Sequence, residues 1–137
     1  MKYLLILIFL CSINSFALDL NNKALICIDE QKYKNNNIAN SDYIFGYIFK
    51  QDSANYYYNT VMDNGIYEIN SILNVQYNVN AKFIVIDLEY GSLFINKETL
   101  EHSVNNNITA RCELAKNKKF FFDLLNERKN KLNNVFN

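Results

Sequence analysis

The chain has no proline, no tryptophan, three glycines and one histidine. Each shortage excludes something. One histidine leaves no multi-histidine metal site. Gly46, Gly65 and Gly91 lie far apart, so there is no glycine-rich loop to cradle a phosphate. The three cysteines, Cys11, Cys27 and Cys112, form no Cys-x-x-Cys redox motif. Fourteen Lys and Arg balance fourteen Asp and Glu, so no nucleic-acid partner is expected. The balance is uneven along the chain: residues 29–101 lean acidic, and Lys and Arg outnumber acids from Arg111 onward. The abundant residues (Asn, Ile, Lys, Tyr, Phe) have AT-rich codons and the scarce ones mostly GC-rich codons, so mutational bias explains much of the composition. The clusters Asn35-Asn36-Asn37 and Asn105-Asn106-Asn107 therefore read as loop residues rather than a ligand site. Asn suits loops because it tolerates left-handed backbone and bonds its own main chain.

No apolar run approaches the roughly 20 residues that span a bilayer. The N-terminus instead has the form of a secretory signal peptide: Lys2, a short apolar run over 3–11, then Ser15-Phe16-Ala17 with small residues at −3 and −1. Cleavage is expected after Ala17, giving a periplasmic or secreted protein that starts at Leu18. A lipidated Cys11 is the alternative; bulky Leu10 and the short run before it argue against that. The remaining chain of about 120 residues is long enough for one domain with a real core.

Residues 23–28 form a first strand, apolar from Ala24 to Ile28 and so able to be buried on both faces. Residues 29–42 are polar and read as a long loop. Residues 43–50 alternate, with Tyr43, Phe45, Tyr47 and Phe49 on one face and Ile44, Gly46 and Ile48 on the other. Gly46 thins its face, as at a bend or bulge. After a turn at 51–55, a strand over 56–62 meets Asp63-Asn64-Gly65, a strong hairpin signal, and returns over 66–69. Residues 70–74 connect it to a separate strand over 75–79. Strands over 82–88, 92–96, 99–104 and 108–114 follow, divided by turns at 80–81, 89–91, 97–98 and 105–107. On the last strand Ile108, Ala110, Cys112 and Leu114 face one way, and Thr109, Arg111 and Glu113 the other. That half-buried pattern points Cys112 into the core. Residues 118–137 change period: Phe121, Leu124, Leu125, Arg128, Leu132 and Val135 mark an amphipathic helix with Asn117 as its cap. The expected fold is mainly β, a small antiparallel meander barrel or sandwich of about seven to nine strands with a C-terminal amphipathic helix.

In an exported chain the pair left after cleavage, Cys27 and Cys112, is expected to be oxidised. The bond would tie the first strand to the last. Gly46-Tyr47-x-Phe49, Tyr77-x-Val79, Ile95-Asn96-x-x-Thr99-Leu100 and Cys112-Glu113-Leu114 give the chain a resemblance to small exported β-rich proteins of AT-rich bacterial genomes. Such proteins often carry Arg where this chain has Lys97. The resemblance implies no activity and no site.

Catalytic constellations are missing. His102 is expected at an exposed strand end, without a free cysteine or a Gly-x-Ser-x-Gly setting to work with. Asp87 and Glu89 read as acids on a solvated face, and Asp63-Asn64-Gly65 lacks the oxygen ligands of a calcium loop. No enzyme activity and no cofactor are expected. A hydrolase would need a pocket of converging titratable groups. The most suggestive feature is Tyr56-Tyr57-Tyr58. Alternation places Tyr56 and Tyr58 on one face and Tyr57 on the other. Tyrosine offers a stacking face with a polar tip, suited to contact with another envelope or secreted protein, although packing explains the run as well. A lysozyme or protease inhibitor is one form of such a protein, by analogy with small disulfide-closed barrels. A second expectation is membrane-surface contact through Phe120-Phe121-Phe122 and the basic residues Lys118, Lys119, Arg128, Lys129 and Lys131 of the C-terminal helix. Its rival is a helix that covers the open end of the barrel.

Overall fold

The structure, a computed structural model, describes residues 19–29 and 44–136, apart from the side chains of 135 and 136. The expected signal peptide over 1–17, Cys11, and all of the expected 29–42 loop except Asp29 lie outside the described residues. Eight strands run β1 (Ala24–Ile28), β2 (Ile44–Phe49), β3 (Ser53–Val61), β4 (Tyr67–Val79), β5 (Phe83–Leu88), β6 (Gly91–Asn96), β7 (Glu101–Val104) and β8 (Asn107–Leu114). A single helix, α1 (Lys118–Phe136), follows. Each strand pairs antiparallel with the next, and β1 pairs with β8 to close an up-and-down barrel. Closure decides between the barrel and the sandwich.

The apolar run of β1 is buried on both faces because the barrel has cores on both sides of its wall. Leu25 and Cys27 point into the barrel, while Ala24 and Ile26 point outward beneath α1. β2 repeats the division, with Phe45, Tyr47 and Phe49 inside and Ile44 and Ile48 outside. Phe121 and Leu125 of α1 are buried against this outer wall, and Leu132 further along the helix is buried too, each worth about 1.5–3 kcal/mol of apolar burial. The helix thus lies along the side of β1–β4 and does not cover an open end. Asn117 caps it, its Oδ1 accepting from the Phe120 N–H at 2.8 Å. Gly46 has its explanation here. A Cβ at that position would overlap the Leu25 carbonyl oxygen and the Phe121 ring, so glycine is what lets the helix seat.

Cys27 and Cys112 stand directly opposite one another on β1 and β8 and form a disulfide, with Cα atoms 3.9 Å apart and both residues in the barrel core. The seam where the chain's first and last strands meet is therefore covalent. At the β7–β8 turn Asn105 and Asn106 take φ of 49° and 64°, the left-handed pair that a tight hairpin demands.

The larger departures from the expected strands are at β3, β7 and β4. β3 begins at Ser53 rather than 56, because Ser53 and Ala54 continue its ladder with β4 and Asn55 pairs with β2. β7 begins at Glu101 rather than 99, because Leu100 takes φ +56° and breaks the extended run. The expected pair of strands over 66–69 and 75–79 is one strand of 13 residues. Asn70 and Ser71 look like a connection, yet they stay in register opposite Tyr58 and Tyr57. The break signal at Asn74 is absorbed as a bulge: φ is +57°, and the Asn74 N–H donates to Asn55 Oδ1 at 3.1 Å.

Candidate functional site

The tyrosine run sits on β3 with the expected alternation. Tyr56 and Tyr58 face the barrel interior, where Tyr47, Tyr56 and Tyr58 stack in sequence with ring centroids 5.1 Å apart at each step. Tyr57 faces outward, and α1 covers it: Phe121 and Phe122 meet its ring edge-on at 5.7 and 5.1 Å. All three tyrosines are half-buried and engaged in packing.

His102 is not at an exposed strand end. It is 3% exposed. Its register explains this, since it lies opposite Ile95 on β6 and Ala110 on β8, both inward-facing. Its Nε2 lies 3.0 Å from the Tyr47 hydroxyl and its Nδ1 2.8 Å from Thr109 Oγ1. Thr109 Oγ1 also lies 3.4 Å from the His102 carbonyl oxygen and donates to it. One proton assignment, made from this network, satisfies every atom: Tyr47 donates to Nε2, and Nδ1–H donates to Thr109. Burial pushes the His102 pKa down to about 4, so the ring is neutral at physiological pH. Burial, and then the neighbouring Tyr56, push the Tyr47 phenol well above its usual range. A neutral, closed chain of hydrogen bonds inside a packed barrel fixes the aromatic stack. Among the described residues no group of three or more His, Cys, Asp or Glu is placed to hold a metal.

The C-terminal helix spends its apolar stripe on the barrel wall, leaving Phe120 as the exposed member of the phenylalanine run. Several of its cations have partners: Lys119 with Asp123 at 2.6 Å, Lys131 with Glu127 at 2.7 Å, and Lys129 with Glu68 at 4.0 Å.

The region that remains open is beside β4. On one edge β4 pairs with β3 from Tyr67 to Gln76, across the bulge at residues 73–74. On the other it pairs with β5 only from Gln76 to Val79, because β5 turns back at Leu88. Among the described residues no strand covers that second edge over residues 67–75. Where β4 and β5 part, a notch of about 300 Å³ opens, bounded by Ile72, Leu73, Val75 and Leu88. Leu73 is 58% exposed and Ile72 41%. Tyr90, at the apex of the β5–β6 turn, is 93% exposed at the notch rim. Asp87 and Glu89 give the rim its charge, and no Lys or Arg lines it. The Ser92 hydroxyl donates to Asp87 at 2.7 Å and holds that carboxylate in place.

Comparison of the chain with protein-family models, curated proteins and solved structures finds no match. What the site does has to be argued from its own chemistry.

An apolar hollow with an acidic rim beside an uncovered strand edge can hold a chain or a side chain. The notch residues escape sequence reading because 70–74 resembles a connection and Asp87 and Glu89 resemble ordinary solvated acids. Two signals point to them. Ile72-Leu73 is an adjacent apolar pair in a strand that otherwise alternates, and Tyr90 is a large aromatic at a turn apex.

Proposed function

We propose that this chain is an exported, non-enzymatic binding protein of the cell envelope or the secreted fraction, and that its contact surface is the notch beside β4. The observation that carries this reading is a stretch of β4 edge that, among the described residues, no strand covers, with exposed apolar side chains beside it. Edge strands are ordinarily blunted by Lys, Pro or a covering loop. Between Tyr67 and Val79 there is no Lys, Arg or Pro, and Glu68 is the sole charge. Clustered exposed apolar residues rimmed by polar ones mark interaction sites. The Cys27–Cys112 bond supports the exported part, since such bonds persist in oxidising compartments. The tyrosine run supports the surface from behind: Tyr56 lies opposite Ile72 and Tyr57 opposite Ser71 in the β3–β4 ladder.

The test is site-specific photo-crosslinking in the producing cells. A benzophenone side chain at Leu73 or Tyr90 should give one and the same adduct, and at Ile108 on β8 none. Equal adducts at all three positions, or none at the notch, would contradict the binding surface. Intact mass of the purified protein checks export separately: a mass beginning at Leu18 with no alkylatable thiol is expected, and a full-length mass with reactive thiols contradicts it.

A further inference from the structure

We propose that the uncovered edge of β4 is a strand-docking site, and that its occupant is an extended segment of a partner protein carrying Lys or Arg next to apolar residues. This rests on the binding function proposed above and names its mode and the partner's chemistry.

In an antiparallel ladder, alternate residues turn their backbone groups toward opposite edges. The hairpin sets the phase. Met62 N–H bonds Ile66 O at 2.9 Å, so the next pair, Val61 and Tyr67, is a wide pair and Tyr67 turns its N–H and C=O away from β3. There they meet the side chain of Asn133 on α1. Asn133 Oδ1 accepts from the Tyr67 N–H at 2.7 Å, and Asn133 Nδ2 donates to Tyr67 O at 3.1 Å. One carboxamide thus makes the two bonds that a neighbouring strand would make. At the other end of the edge, from Gln76, β5 makes them.

By the same alternation, Ile69 and Ser71 turn their backbone groups outward in between. The Ser71 N–H is held by the side chain next to it, Asn70 Oδ1, at 2.7 Å. Among the described residues, amide partners at both ends and none from a strand in the middle define a gap that a strand of roughly five residues would fill. Such addition supplies main-chain hydrogen bonds for affinity and side-chain pockets for specificity. The notch is the pocket: an apolar side chain of the incoming strand would enter between Leu73 and Leu88.

Charge selects the occupant. Asp87 and Glu89 stand on the rim without a cation among the lining residues, so a Lys or Arg flanking the inserted apolar residue gains and an acid loses. A second copy of this chain is a poor fit, because β4 carries Glu68 and no cation to offer an identical edge.

The experiment uses the oxidised, exported protein and three acetylated peptides of one length. The first alternates Lys and Val. The second has Glu in place of Lys. The third is the Lys-Val peptide with alternate backbone amides N-methylated on one edge. Binding is read by residue-resolved amide shifts. The Lys-Val peptide should perturb residues 69–76 and 88–90. N-methylation should weaken it at least about tenfold, because it removes the strand-pairing donors, and the Glu peptide should bind at least about tenfold more weakly. The double variant Asp87→Asn, Glu89→Gln, which changes exposed groups only, should weaken the Lys-Val peptide several-fold. Equal binding of the N-methylated peptide overturns strand addition, and equal binding of the Glu peptide overturns the charge assignment. Concentration-dependent dimerisation that perturbs the same edge would give it to a second copy instead. If no peptide binds while Leu73 and Tyr90 still crosslink to a partner, strand docking fails and the binding function stands.

Discussion

β1 and β4 belong to one barrel and are held in opposite ways. β1 has five residues, and both of its edges are paired, with β2 and β8. Both faces are buried, and a disulfide bolts it to β8. β4 has thirteen residues, most of them paired on one edge only, with exposed apolar side chains where β5 leaves it. The contrast separates two uses of apolar sequence. On β1 apolar residues close the fold. On the free half of β4, Ile72 and Leu73 are exposed without closing anything, which is why they are assigned to binding.

The sharpest way to break the β1 side is to remove its bond. The Cys27→Ala, Cys112→Ala variant should lose about 4 to 5 kcal/mol, the chain-entropy value for closing a loop of 85 residues. Denaturant midpoints of the variant and the oxidised protein measure it, and equal midpoints would mean that strand pairing alone holds the seam. Next comes the wall beneath α1. Gly46→Ala should cost about 3 kcal/mol, since the added methyl meets the Leu25 backbone and the Phe121 ring. Loss of helix signal at lower denaturant than barrel signal would show the helix lifting first.

His102 tests the interior that both strands enclose. Its pKa is about 4 in the folded protein against 6.5 in the unfolded chain. A lowered folded pKa means that the unfolded state takes up the proton first. Stability from this residue is therefore intact above pH 6.5 and lost as pH falls from 6.5 toward 4, by about 3 kcal/mol in all. His102→Gln, which keeps donors and an acceptor without titrating in this range, should flatten that part of the pH profile. An unchanged acid slope in urea melts would assign the loss to other groups.

Two smaller effects sharpen the β4 side. Asn59 on β3 lies opposite Ile69, is fully buried, and among the described residues has no hydrogen-bond partner at either polar side-chain atom. Replacing it by Leu should raise stability by about 1 to 2 kcal/mol, because an unpaired amide is removed from the interior. A loss of stability on thermal melting would contradict this account of the outer wall. Leu73→Lys should shift stability by less than about 0.5 kcal/mol while removing partner binding, because an exposed edge residue carries little of the fold. A large drop in Tm would make Leu73 a structural residue.

Much of the fold is legible from local pattern. The unbroken apolar run of β1 announces burial on two faces, the period-two alternation of β2 and β8 sorts inside from outside, and Asn64-Gly65 marks its hairpin. The Cys27–Cys112 pairing is the one expected if Cys11 belongs to a signal peptide. What is illegible depends on residues distant in the chain. His102 is buried because of Ile95, Ala110 and Tyr47, none of them local to it. Gly46 announces a thinned face but not the Phe121 ring that fills it. Tyr57 projects outward as its position predicts, and only the docking of α1 covers it. The open edge of β4 is a difference in length between two neighbouring strands, visible once their register is known.

The most direct test of the central claim is residue-resolved amide hydrogen exchange along β4 in the free protein. Glu68 and Asn70, turned toward β3, should be protected, and Ile69, turned to the open edge, should exchange near its intrinsic rate. Asn78, turned toward β5, should be protected as well. Strong protection at Ile69 equal to that at Glu68 and Asn70 would mean that the edge is already covered, and the binding surface proposed for it would be wrong.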